Sequence, residues 1–138
     1  MVRIVTYLTS GLVALLLFLP LSPTAAQTTR PGQVFIRAAF NLTATLHGGG
    51  SQLQVSGPLQ CQGTRVTIRA TVSQRTTGAW AEGQWEGACS HRTWKTTVHV
   101  TGANRFKAGS AEGCGLGIGY VGSKQFDAFQ WCSPLRIT

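Results

Sequence analysis

The chain has 138 residues, with 12 Lys/Arg against 4 Asp/Glu, a formal charge of +8, 17 Gly, 4 Cys and 4 Trp. That length holds one domain around a single core. Four carboxylates are a thin supply for calcium ligation or paired acid–base chemistry, and the excess of cations suits acidic partners: nucleic acid, anionic lipid heads, phosphate-rich or uronic polymers.

Residues 1–26 read as a secretory signal peptide. Arg3 supplies a positive start, the run Leu12 to Leu19 is apolar but too short to span a bilayer, and Pro20, Pro23 and Thr24-Ala25-Ala26 form a helix break and a small-residue cleavage site. Cleavage after Ala26 leaves 112 of the 138 residues as one secreted domain, 27–138. It removes Arg3, so eleven Lys/Arg face four acids and the product carries +7. The first cysteine, Cys61, is far from the cleavage site, which leaves no acceptor for a lipid anchor. No later segment has the roughly 20 apolar residues of a membrane helix, so the expected location is extracellular.

From Val34 the alternation is long: Val34, Ile36, Ala38, Phe40, Leu42, Ala44 and Leu46 share one parity, which predicts a strand or a kinked strand. The run Gly48-Gly49-Gly50-Ser51 breaks it, and Leu53, Val55, Gly57, Leu59 and Cys61 continue an inward parity past Pro58, a residue suited to an edge or bulge. Together these predict a hairpin. Val66, Ile68, Ala70 and Val72 mark the most regular strand, with Arg65, Thr67, Arg69 and Thr71 facing outward. Gln74 to Gly78 is loop-like, Ala79 to Cys89 is a glycine-rich short strand carrying Trp80 and Trp85 on opposite parities, and Thr93 to Thr101 alternates Trp94, Thr96, Val98 and Val100 with Lys95, Thr97 and His99.

In Gly113 to Tyr120, glycine occupies every second position, so one strand face carries Cys114, Leu116, Ile118 and Tyr120 while the other is bare backbone. Something flat must approach that face closely: a ring of this chain, Trp131 or Phe129, or a ligand. Many short strands with glycine-rich turns and no helical period describe an all-β sandwich or barrel.

Four cysteines in an exported domain predict two disulfides, and three pairings are open. Cys61 with Cys89 and Cys114 with Cys132 is favoured, because neighbours along the chain need the least rearrangement. No Cys-x-x-Cys or His-x-x-x-His spacing supports a metal, and no cofactor is expected. Ser90-His91 is the one local pair of nucleophile and base, with no acid within a few residues, so a hydrolase using Ser90, His91 and a Glu is the weakest reading. Glu82 and Glu86 would share a strand face about 13 Å apart, wider than a glycosidase pair needs.

Arg65, Arg69, Lys95 and His99 lie on outward parities of the two most regular strands and form one basic patch if those strands share a sheet. Trp80 or Trp85 beside it would add the aromatic surface used for stacking on bases or sugars.

With Cys61 ending an early strand, Cys89, Trp94 shortly after it and Phe106-Lys107-Ala108-Gly109-Ser110-Ala111 leading into a last sheet segment, residues 34–111 resemble small secreted bacterial immunoglobulin-like domains of unknown function. The resemblance implies a single antiparallel immunoglobulin-like β-sandwich without catalysis and with no assigned ligand; the glycine-alternating segment and the Cys114–Cys132 pair, the second expected staple, depart from it. The +7 charge, the four tryptophans and the poor supply of catalytic groups give the functional expectation: a non-enzymatic secreted protein that binds an extracellular or envelope component, an acidic polymer, glycan or protein, through a basic surface. The alternative is a secreted inhibitor or antagonistic toxin that presents a loop such as Gln74 to Gly78.

Overall fold

A computed structural model describes residues 34–138; residues 1–26, expected to be a signal peptide, lie outside the described residues. The described chain is all-β, with strands β1 (Phe35–Ala38), β2 (Thr43–His47), β3 (Gln52–Gln62), β4 (Arg65–Gln74), β5 (Ala79–Ala88), β6 (Thr93–Val100), β7 (Gly109–Val121) and β8 (Lys124–Ile137). Both disulfides have the favoured pairing, Cys61–Cys89 and Cys114–Cys132.

The strands do not form a sandwich. Pairing runs β3-β2-β8-β7-β4-β5-β6 and returns from β6 to β3, so seven strands close into a barrel, with β1 added along the far half of β3. This overturns the immunoglobulin-like sandwich that the resemblance implied. The closing contact is parallel: Thr43 pairs with Arg136 and Ala44 with Ile137, through Arg136 N–H to Leu42 O at 2.8 Å and Thr138 N–H to Ala44 O at 3.0 Å. A sheet that would otherwise end in two unpaired edges removes them by closing on itself.

The long first alternation splits at this join. Between the pairs Ala38↔Leu59 and Thr45↔Gln54 the first strand advances seven residues against five on β3, a bulge opposite Pro58, whose carbonyl accepts the Ala39 N–H. Here the chain stops pairing as β1 and begins again as β2. Leu42, expected inside, is swung out and is 76% exposed, while its carbonyl serves β8.

The core holds Ile36, Leu53, Val66, Ile68, Val72, Trp94 and Val98, the inward parities that the alternation marked, together with Leu135 and Ile137 of β8. Glycines 113, 115, 117 and 119 also point inward and are buried. Several side chains cover them: a Cβ on Gly113 would meet Leu135 and Phe40, one on Gly115 the Trp131 ring of β8, one on Gly117 Ile36, and one on Gly119 the Phe126 ring. Trp131 also packs on Phe40, Trp94 and, face to face, Phe129. Bare backbone on β7 thus makes room for an indole within the barrel, and the glycine face is an internal packing face.

The two ends are closed differently. At one, the loop after β6 sends in Phe106, 2% exposed, whose N–H donates to Gly50 O at 3.0 Å. Gln74, 2% exposed at the end of β4, fixes that loop: Lys107 N–H donates to its Oε1 at 2.9 Å and its Nε2 donates to Lys107 O at 2.8 Å. At the other end β5 leaves the ladder with β6 below the pairs Ala81↔Val100 and Glu82↔His99, and the Cys61–Cys89 disulfide ties the β5–β6 connection to β3.

Candidate binding surface

Antiparallel register sorts the outward side chains of β5, β4, β7 and β8 into rows. Starting at the Phe106 end, the rows are Trp80, Ser73, Glu112, Pro134; then Glu82, Thr71, Cys114, Cys132; then Gln84, Arg69, Leu116, Gln130; then Glu86, Thr67, Ile118, Ala128. Directly paired residues share a face, and neighbouring strands lie ~4.8 Å apart, so each row is a line of adjacent side chains.

The four cations expected to form one patch share this wall but not one cluster. Arg65 and Arg69 project from β4, Lys95 and His99 from β6, and β5 stands between them with Glu82, Gln84 and Glu86 facing outward. Arg65 donates to Glu86 Oε1 at 3.0 Å, with its guanidinium 4.2 Å from the centre of the Tyr120 ring. His99 is the direct partner of Glu82. Arg69 and Lys95 remain exposed without an ion pair. The tryptophans divide as their opposite parities require: Trp80 points out and is 40% exposed, whereas Trp85 turns in, packs on the core and meets the His91 ring edge to face.

A second group of cations gathers at the Phe106 end. Arg75 follows β4, Arg105 and Lys107 sit on the loop, and Arg136 lies on the outer face of β8 opposite Ser110. All four are exposed, and none is ion-paired. The scaffold beneath them is fixed: Gln74 holds Lys107 by its backbone, Asn104 Nδ2 donates to Gly78 O at 3.1 Å, and the Arg105 guanidinium donates to the carbonyls of residues 102, 103 and 104. Glu112 is the acid on this part of the wall. Beside it Ser73, Arg75, Thr76, Ser110, Ala111 and Glu112 line an open trough of about 230 Å³. Sequence reading missed this group because its members come from a turn, a loop and a strand end that only the topology brings together. The Gln74 to Gly78 turn, expected as a presented loop, forms part of the same end, closed by Gly78 N–H to Gln74 O at 2.9 Å.

At the opposite end a wider cleft of about 620 Å³ is lined by Phe35, Gln60, Gln62, Ser90, His91 and Arg92 beside the Cys61–Cys89 disulfide. Ser90 and His91 both reach it, but the His91 ring lies against Trp85, and the carboxylates are engaged or placed elsewhere: Glu86 with Arg65, Asp127 with Arg37 and the Ile36 N–H, Glu82 and Glu112 on the outer wall. Among the described residues no group of three or more His, Cys, Asp or Glu is placed to hold a metal ion, and no helix is long and apolar enough to cross a membrane.

No family model matches this chain, and no curated protein does. Among solved structures, the apo form of the Calx CBD1 domain is similar over 75% of this chain and 96% of its own, at 12% identity and a TM-score of 0.39. That partial likeness assigns no family.

Proposed function

We propose that this chain is a secreted, non-enzymatic binding protein that holds an anionic extracellular or envelope polymer on the Phe106 end of its barrel. The observation that carries this reading is the unpaired group Arg75, Arg105, Lys107 and Arg136 on a scaffold pinned by Gln74, with a single nearby acid, Glu112. Of the ten Lys/Arg within residues 34–138, Arg37 and Arg65 form ion pairs and the other eight form none. Unpaired cations attract a polyanion by counterion release, and a backbone already fixed beneath them leaves less of the chain to order on binding. Support for secretion comes from the leader pattern of residues 1–26 and from the two formed disulfides, which persist in oxidising compartments.

The test is a salt titration of binding to a panel of soluble polyanions. Log affinity is expected to fall linearly with log salt, with a slope of about −3 to −4 if the four cations engage. Absence of affinity for every polyanion at low salt contradicts the proposal.

A further inference from the structure

The two disulfides stand in different mechanical settings. Cys61–Cys89 joins β3 to the connection after β5, and these two strands share no ladder. It borders the wider cleft, yet Cys89 is only 8% exposed. Cys114–Cys132 joins two strands that are already paired from Gly109↔Ile137 to Val121↔Lys124, and it lies on the outer wall with Cys132 exposed.

Register shows what the second bond holds. Arg136 N–H donates to Leu42 O, so the even-numbered residues of β8 turn their peptide groups away from β7. Cys114 O likewise faces β4, where it accepts the Thr71 hydroxyl at 3.3 Å. Cys114 and Cys132 are therefore opposed residues that exchange no backbone hydrogen bond, the arrangement that brings side chains closest, and their Cα atoms are 4.1 Å apart. The ladder bonds run through Gly113↔Ser133 and Gly115↔Trp131 on either side. Opening the disulfide breaks none of them, and both sulfurs stay side by side to close again.

Exchange begins when a thiolate attacks one sulfur from the side opposite the other. This bond runs across the strands. Behind Cys114 stands β4, with Thr71 as its direct neighbour. Behind Cys132 there is no ladder partner, because β2 meets β8 only at Arg136 and Ile137. An incoming thiolate therefore reaches Cys132, and the half-buried Cys114 is the leaving group.

We propose that Cys114–Cys132 is an exchange site for a small soluble thiol, opened and re-formed within the folded barrel, while Cys61–Cys89 is a structural staple. The small thiolate bonds to Cys132 Sγ, and the electron pair of the broken S–S bond leaves on Cys114 Sγ, which takes up a proton. A second small thiolate then attacks the small-molecule sulfur of the mixed disulfide and releases Cys132 as a thiolate, which is protonated in turn. Two small thiols are oxidised to one disulfide, and the protein disulfide is reduced to two thiols. This proposal is independent of the polyanion reading.

The test incubates the full, oxidised secreted chain with excess reduced glutathione without denaturant, traps thiols with iodoacetamide at intervals and maps the labelled peptides by mass. Cys114 and Cys132 are expected to react at least about tenfold faster than Cys61 and Cys89, with glutathione adducts on Cys132, while the amides of β7 and β8 keep their protection from hydrogen exchange. Equal reaction of both pairs, earlier reaction of Cys61 and Cys89, no reaction at either pair, or loss of protection across β7 and β8 as the bond opens overturns the proposal. The double variant Cys114→Ser with Cys132→Ser is expected to be secreted with the same protection. Its failure to fold would show that the ladder does not hold the hairpin without the bond, and would overturn the proposal as well.

Discussion

One end of this barrel is closed by its own side chains and the other by a covalent bond, and the surfaces they present differ accordingly. At the Phe106 end an aromatic side chain enters the core and a buried Gln74 satisfies the loop that carries it, so four cations stand on a fixed base. At the opposite end β5 and β6 part, the Cys61–Cys89 disulfide spans the connection, and a cleft of about 620 Å³ remains. Packing and hydrogen bonds make a charged end with a shallow trough; a staple leaves a wider cleft with mixed polarity.

The largest effect is expected from removing the side chain that closes the first end. Phe106→Ala should cost about 3 to 5 kcal/mol in chemical denaturation, the range for deleting a buried aromatic ring. A cost below ~1 kcal/mol would mean that Phe106 is no part of the core. At the other end, replacing Cys61 and Cys89 together by Ser should cost about 3 to 4 kcal/mol from the chain-entropy estimate for a 28-residue separation. Hydrogen exchange should then rise near Cys61 and Cys89 while Lys107 keeps its protection; loss of protection at both ends alike would erase the contrast between them.

A smaller effect separates fixing from closing. Gln74→Leu leaves the backbone N–H and C=O of Lys107 without their partners, and about 2 kcal/mol should be lost, with faster exchange at the Lys107 amide. Unchanged exchange there would show that Gln74 does not hold the loop. Smaller again, Arg75→Ala with Arg136→Ala should reduce the salt slope of polymer binding by about 2, whereas Lys95→Ala with His99→Ala on the β6 side should leave it nearly unchanged. Equal changes would move the binding surface to the wall. Last, Arg65→Ala should alter stability by less than ~1 kcal/mol, since its partner Glu86 is more than half exposed.

Sequence reading went furthest where the signal was local. The alternation of Val66, Ile68, Ala70 and Val72 placed β4 and its buried face, and the glycine period of 113–119 announced a close approach that Trp131 makes at Gly115 and that Phe126, Ile36, Leu135 and Phe40 make at the other glycines. Both follow from the two-residue period of a strand. Barrel closure could not be read this way, because alternation tells which side of a strand is buried and not which strand lies next to it; a sandwich and a barrel share the pattern. The decisive pair, Thr43 with Arg136, joins residues at opposite ends of the described chain and leaves no mark in either segment. Leu42 illustrates the same limit, since its parity called for burial and the bulge at the join turned it outward. The patch of Arg65, Arg69, Lys95 and His99 was conceived from two strands, without the β5 that lies between them with Glu82 and Glu86. Arg75, Arg105, Lys107 and Arg136 come from a turn, a loop and a terminal strand, so their proximity exists only in three dimensions.

The contrast between the two ends is tested most directly by titrating isotopically labelled protein at low salt with the soluble polyanion that it binds most tightly and following its amide resonances. The account predicts shifts that centre on Arg75, Arg105, Lys107 and Arg136 and leave the Gln60 to Gln62 and Ser90 to Arg92 amides still. Shifts centred on that opposite cleft, with the Phe106 end silent, would contradict it.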